Sequence, residues 1–315
     1  MKKKMIALCM AALMAAGALA GCGNSAAETP DKLVFTYVTS PLNIPSIIEK
    51  DQGIFAETFG EMGIDVEYAD LTSGADQTQA LAAGDVQVLY AVGATSVILS
   101  AANGADIKVL NMYSRSPKAF CLYAKDTELT TPESLRGKTI AGPAGTNLHE
   151  LLVAYLATAG MTLDDVDYVN LSIPEAKAAL DGDSIDVAMI AGPTAYLAQQ
   201  QGYHLVADGE GLIDAIIAVA VTDAFYQANP EIIEKLGEAQ AEISAFMQEH
   251  EEETMQIVAN TLDLEQTAVE EMAVNYDFST ELTDADKAGF QRTADFMLAN
   301  GMIENELDVN TLFYE

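Results

Sequence analysis

A short pattern occurs twice in this chain, and it restricts the fold more than any other feature. Ala80-Leu81 … Val86-Gln87-Val88 … Gly93-Ala94-Thr95 is matched by Ala179-Leu180 … Ile185-Asp186-Val187 … Gly192-Pro193-Thr194, each residue standing 99 positions after its counterpart. Each copy reads as helix, tight turn, strand, and a glycine turn at the strand's C-terminal end. In open α/β sheets, ligands bind outside that end. Two such units predict two similar lobes whose loop-bearing edges face a shared gap.

The flanking sequence agrees with this reading. Strand-like stretches at 33–39, 65–68, 86–92 and 107–113 alternate with helical ones at 45–55, 76–83 and 94–102. The pattern restarts after Cys121, with strands at 139–141, 167–171, 185–190 and 204–206 and helices at 147–159, 174–180 and 193–201. Such alternation predicts an α/β chain, each lobe a mostly parallel sheet with helices on both faces. Two apolar, β-prone runs, 120–124 and 216–221, are the candidate crossings between lobes. From 222 to 315 the chain reads as helical, with Asn229-Pro230-Glu231 opening a long helix. Its acidic run 249–253 reads as a solvated helix face. The expected division is 32–120 plus 222–315 for the first lobe and 121–221 for the second.

The N-terminus predicts export. Lys2, Lys3 and Lys4 precede an apolar stretch, 5–18, that is too short for an ordinary membrane span and reads as part of a signal peptide over 1–21. Leu19-Ala20-Gly21-Cys22 follows, a sequence similar to the bacterial lipobox, which makes Cys22 the expected lipid acceptor. Residues 22–31 are small and polar and read as a flexible, lipidated linker. Beyond the anchor the chain is expected to be extracytoplasmic, held at the cell membrane as a lipoprotein. Cys9 leaves with the signal peptide, so Cys121 is left without a disulfide partner, and its apolar surroundings predict a buried thiol. The chain carries 15 Lys+Arg against 48 Asp+Glu, a net charge of −33, which repels nucleic acid. The ligand's own charge does not follow from this, because exposed charges are screened beyond about 8 Å at physiological salt.

Several stretches carry a family likeness. Gln52-Gly53-Ile54-Phe55, Ser73-Gly74, Ala80-Leu81-Ala82-Ala83-Gly84-Asp85-Val86, Gly104-Ala105-Asp106-Ile107-Lys108-Val109, Leu135-Arg136-Gly137-Lys138-Thr139-Ile140 and Gly145-Thr146-Asn147-Leu148-His149-Glu150-Leu151-Leu152 span nearly the whole folded part, and Asp308-Val309 … Leu312-Phe313 extends the match to the end. The chain resembles the NMT1-like solute-binding proteins of ABC importers for nitrate, taurine, aliphatic sulfonates and thiamine-pyrimidine precursors. That resemblance implies a two-lobe type II periplasmic-binding-protein fold with a helical C-terminal region. It also implies a membrane-embedded ABC permease as partner. Where the family has a proline-rich segment after the second-lobe strand, this chain has Ala191-Gly192-Pro193-Thr194.

The candidate ligand-binding residues are turns at strand ends. In the first lobe they are Ser40, Pro41, Leu42 and Asn43, then Ser73 and Gly74, then Gly93, Ala94 and Thr95, and finally Ser114 and Arg115. In the second they are Gly145, Thr146, Asn147 and His149, then Gly192, Pro193 and Thr194. Free N–H groups at the helix start near Asn147 make an anion site without any base; Thr146 or Asn147 serves equally well as a simple N-cap. Ser73 and Thr95 read as ligand contacts or as turn chemistry. Arg115 reads as a bidentate clamp for a carboxylate or sulfonate, or as a surface ion pair. His149 reads as a cleft residue or as a structural histidine.

No enzyme signature is present. The three histidines, His149, His204 and His250, have no metal spacing, and there is no nucleophile elbow, P-loop or dinucleotide fingerprint. Neither cofactor nor metal is expected, and the chain is expected to be a monomer. The favoured ligand is a small organic anion of sulfonate, taurine or nitrate type. The alternative is a thiamine-related pyrimidine stacked on Tyr37, Tyr90 or Tyr113. An enzyme of the same fold, in pyrimidine or menaquinone biosynthesis, or a surface sensor are the remaining readings.

Overall fold

The computed structural model describes residues 30–314, and residues 31–315 form one compact unit. The signal peptide at 1–21, Cys22 and nearly all of the linker lie outside the described residues. Chain order runs β1 (Lys32–Thr36), α1 (Ile44–Gln52), α2 (Ile54–Gly60), β2 (Asp65–Ala69), α3 (Gly74–Ala83), β3 (Leu89–Gly93), α4 (Ala94–Ala102) and β4 (Lys108–Arg115). It continues with β5 (Phe120–Ala124), β6 (Thr139–Gly142), α5 (Asn147–Ala157), β7 (Asp167–Asn170), α6 (Ile173–Asp181), β8 (Val187–Ala191), α7 (Gly192–Gln200) and β9 (His204–Asp208). After β10 (Ile216–Val221) come five helices: α8 (Asp223–Ala228), α9 (Pro230–Glu249), α10 (Glu251–Leu262), α11 (Gln266–Ala273) and α12 (Asp284–Ala299).

The strands form two groups with the same layout. In the second, the order is β7-β6-β8-β5-β9, with β6 parallel to both β7 and β8, and β5 antiparallel to β8 and β9. In the first, β1 pairs in parallel with β2, and β10 runs antiparallel between β3 and β4. A parallel bridge from Phe35 to Val88 joins the two parts, so the order reads β2-β1-β3-β10-β4. The repeat seen in the sequence is therefore a repeat of position: β3 and β8 hold equivalent central places.

Burial follows position. The inserted strands β5 (FCLYA) and β10 (IIAVAV) are buried at every residue, the continuous apolar run expected of a strand covered on both faces. The outermost β2 and β7 have no buried residue.

Two expectations need correction. The sequence division placed 216–221 in the second lobe, but β10 pairs with β3 and β4, so the chain has already re-entered the first sheet by Ile216. The helix expected over 45–55 is two helices, because Gly53 adopts a left-handed conformation (φ 69°) that caps α1 and starts α2. Among the described residues, no helix is long and apolar enough to cross a membrane.

Candidate functional site

Six helices begin just after a parallel strand of one of these sheets, and their N-termini divide by sheet position. The helices after the outer strands carry side-chain caps. The N-cap residues Ser73 of α3 and Ser172 of α6 accept hydrogen bonds from Asp76 N and Glu175 N. Those of α4 in the first lobe and of α5 and α7 in the second, after the central strands, have none, whereas the first turn of α1 is already satisfied, with Ser46 N donating to the Tyr113 hydroxyl at 3.1 Å. A helix start leaves up to four N–H groups without intrahelical partners and carries partial positive charge, which suits an anion. Three such starts, those of α4, α5 and α7, therefore lie at one edge of the pair of sheets.

These starts meet. Thr95 Oγ1, at the start of α4, lies 2.8 Å from both Asn147 Oδ1 and Glu150 Oε2 on α5. Ser96 Oγ donates to Gly145 O at 3.0 Å. Thr293 Oγ1, on α12, donates to the other oxygen of Glu150 at 2.9 Å. On the opposite side of the seam, Gly192 at the start of α7 lies against the turn after β1. A Cβ at Gly192 would sit 1.5 Å from Pro41 O. Only glycine fits so close a backbone approach, and its φ of 55° favours glycine as well. Gly74 allows a second close approach, since a Cβ there would fall 2.0 Å from Ser96 Oγ.

The gap expected between the lobes is thus shut by direct hydrogen bonds, in which Thr95, Asn147 and Gly145 of the candidates take part together with Ser96, Glu150 and Thr293. Within the seam the Asn147 Nδ2 group is buried and has no hydrogen-bond partner. Buried donors without partners are rare in folded proteins and point to a group that would fill the place. Beside the seam lies a cavity of about 680 Å3, lined by Glu150, Asp214, Arg292, Thr293 and Phe296 among others. Burial raises the Glu150 carboxyl above the usual glutamate range, with Asp214 adding to that and the Thr95 and Thr293 hydroxyls opposing it.

The remaining candidates fall into two groups. Pro41, Gly93, Ala94, Thr95, Gly145, Asn147 and Gly192 are at the seam. Thr146 precedes α5 with its hydroxyl donating to Pro143 O, and Pro193 and Thr194 begin α7. Other candidates serve the fold. Asn43 Nδ2 donates to Val38 O and Ser40 O and so holds its own turn, Leu42 is fully buried, and Ser40 is exposed. Ser73 caps α3, and Ser114 is buried within β4 opposite Ile217. His149 Nδ1 accepts from Gly145 N, and the ring stacks on Tyr168 with centroids 5.1 Å apart. Burial lowers the His149 pKa, so the ring is neutral and organises the turn before α5.

Arg115 is no ligand clamp. Its Nε and Nη2 donate to Asp286 at 2.6 Å each, Nη1 donates to Ser279, and Nη2 also reaches Glu281 O. The whole guanidinium is taken up in fastening the segment that leads into α12. Glu150, Ser96 and Thr293 were not among the candidates. Glu150 reads in sequence as an ordinary first-turn acid, and Thr293 stands 143 residues from it. Tyr90 and Tyr113 are buried and pack edge to face in the first lobe's core, so neither offers a ring face to a pyrimidine. Among the described residues, no group of three His, Cys, Asp or Glu side chains could hold a metal ion.

Comparison with known proteins agrees with this architecture. The family described as NMT1/THI5 like matches residues 42–254. A putative aliphatic sulfonates-binding protein of Bacillus subtilis is 26% identical over 98% of this chain and 93% of its own length. The taurine-binding periplasmic protein of Escherichia coli is 29% identical over 60% of this chain and 58% of its own. Among solved structures, the alkanesulfonate-binding protein of Xanthomonas axonopodis pv. citri bound to MOPS superposes with a TM-score of 0.82 at 21% identity, covering 90% of this chain and 98% of that one.

Proposed function

We propose, from the premise that this chain belongs to the NMT1/THI5-like family, that it is the extracytoplasmic substrate-binding component of an ABC importer and that it holds a small organic anion of sulfonate or taurine type in the seam between its lobes. The observation that carries this reading is the set of uncapped helix starts of α4, α5 and α7, with the unpartnered amide of Asn147 among them. The names of the relatives support the ligand class: one is named a putative aliphatic sulfonates-binding protein, one a taurine-binding protein, and a third was solved with a sulfonate buffer in place.

The energetics suffice without a metal or cofactor. A partly buried helix start contributes up to about 2 kcal/mol toward an anion, and each charge-assisted hydrogen bond about 1.5–3 kcal/mol. A micromolar site needs about 8 kcal/mol in all. Two helix starts and two or three such bonds reach that figure. The protein then delivers its ligand to a membrane permease as a non-catalytic monomer, tethered through lipid on Cys22. Replacing Cys22 with serine is expected to shed the protein into the medium, and continued membrane retention would remove the lipid anchor from this reading.

The ligand class is tested by thermal unfolding of residues 31–315. At a hundredfold excess over Kd, a bound anion stabilises by about 2.7 kcal/mol, equivalent to a rise of roughly 5 °C in Tm for a chain of this size. Ethanesulfonate and taurine are expected to produce it. A rise with aminopyrimidines alone, or with nitrate alone, would overturn the sulfonate assignment.

A further inference from the structure

The seam has one acceptor atom more than its hydroxyl hydrogens can serve. Thr95 Oγ1 has a single hydrogen, yet it lies 2.8 Å from two acceptor atoms, Asn147 Oδ1 and Glu150 Oε2. The other Glu150 oxygen already accepts the only hydroxyl hydrogen of Thr293. With Glu150 ionised, Thr95 can donate to only one of these two oxygens, and a Thr95 lone pair would face the other at hydrogen-bond distance, in a place where both residues are buried. A proton on Glu150 Oε2 removes the conflict. Glu150 then donates to Thr95, and Thr95 donates to Asn147.

We propose that Glu150 is a protonated latch between the two lobes, and that closure of the seam takes up one proton. Glu150 belongs to α5 of the second lobe, while Thr95 on α4 and Thr293 on α12 pack with the first. Opening the seam returns the carboxyl to water and frees its proton.

The charged neighbours do not supply a substitute. From α12, Asp286 and Arg292 line the same cavity as Glu150; Asp214 approaches from the loop before β10, and Arg115 from the end of β4. Both arginines are already paired, Arg115 with Asp286 at 2.6 Å and Arg292 with Asp214 at 2.8 Å. Neither α4 residue at the contact, Thr95 or Ser96, is charged, and His149 on α5 is neutral, its pKa lowered by burial. Burial and Asp214 raise the carboxyl pKa despite the two hydroxyls, which agrees with the proton count. The sign follows. A group whose pKa is higher in the closed form stabilises that form at low pH, and the stabilisation is lost as pH rises above the ordinary glutamate range through the closed-form value. An anion gripped only by the closed seam then binds up to about tenfold more weakly per pH unit over that window. This link to the ligand rests on the function proposed above; the link to closure does not.

Small-angle scattering of ligand-free residues 31–315 tests the latch. The radius of gyration is expected to grow as pH rises above the ordinary glutamate range. Glu150→Gln, whose amide keeps a donor facing Thr95 without titrating, is expected to stay compact throughout, and Thr95→Val, which removes the acceptor, to stay extended throughout. Identical pH profiles for wild type and Glu150→Gln would overturn the latch, and would fit an Asn147 amide turned to donate to Thr95. Calorimetry with ethanesulfonate, in buffers of different ionisation heat, counts the proton. At a pH above the ordinary glutamate range, wild type is expected to take up protons on binding the anion and Glu150→Gln none. Anion binding without proton uptake sinks the latch and leaves the sulfonate reading standing. No binding, with the scattering difference intact, sinks the sulfonate reading and leaves the latch.

Discussion

Gly192→Ala is expected to hold the lobes apart and weaken anion binding about a hundredfold. The added methyl group would lie 1.5 Å from Pro41 O and 2.3 Å from Pro41 C, contacts that no rotation relieves because both are backbone atoms. The Pro41 turn cannot easily yield, since Asn43 Nδ2 ties it to Val38 O at 2.9 Å and Ser40 O at 3.2 Å. Overpacking costs about 1–3 kcal/mol, and a clash between two backbones lies at the upper end, which corresponds to about two decades in affinity. The positive φ of Gly192 adds strain in the open and closed forms alike, so it lowers stability without opposing closure. Gly202→Ala is the control. Its φ is 79°, but nothing lies within 4 Å of its Cβ position, so it is expected to lose some stability and keep full affinity. Equal affinities for the two variants, measured by calorimetry with ethanesulfonate, would mean that the Pro41–Gly192 contact does not form part of the binding state.

Arg115→Ala is expected to produce the largest loss of stability, about 3–5 kcal/mol, because it leaves a buried carboxylate without its partner. The Asp286 side chain is only 4% exposed. Burial alone would raise the Asp286 pKa, yet the hydrogen bonds from Arg115 and Thr283 outweigh it and hold the carboxyl below the usual aspartate range. Asp286 also accepts from Thr283 N and Oγ1 at the start of α12, so losing the guanidinium disturbs that helix start. Because α12 carries Thr293, the contact to Glu150 loosens too. Arg115→Lys is expected to recover only part of the loss, since one ammonium cannot reproduce a fork that also reaches Ser279 and Glu281 O. The urea midpoint is the readout. A change below about 1 kcal/mol for Arg115→Ala would show this to be an ordinary surface pair.

What could be read from the sequence was whatever depends on near neighbours in the chain. The alternation of elements and the repeat of Gly93-Ala94-Thr95 in Gly192-Pro193-Thr194 follow from periodicity and turn chemistry, and both proved to mark equivalent positions in two like sheets. The helix starts near Ala94, Asn147 and Pro193 were visible for the same reason. Long-range partners were not. Arg115 and Asp286 are 171 residues apart, and nothing local distinguishes an arginine that clamps a ligand from one that clamps a helix. The sheet to which 216–221 belongs was equally hidden, because an all-buried strand looks the same in either core. Tyr90 and Tyr113 are buried in the first lobe's core, where aromatic residues pack inward instead of lining a site. Glu150 looked like a first-turn acid because that is the common use of glutamate at a helix start; only Thr95 and Thr293, brought in from elsewhere, show it bridging two lobes.

On the proposed function, the uncapped starts of α4 and α5 grip the anion. A crystal structure of residues 31–315 grown with ethanesulfonate tests it most directly. Sulfonate oxygens are expected within hydrogen-bond reach of first-turn N–H groups of both helices and of Asn147 Nδ2. A sulfonate seated in the cavity beside Arg292 and Phe296, with the Thr95–Asn147 contact undisturbed, would contradict it.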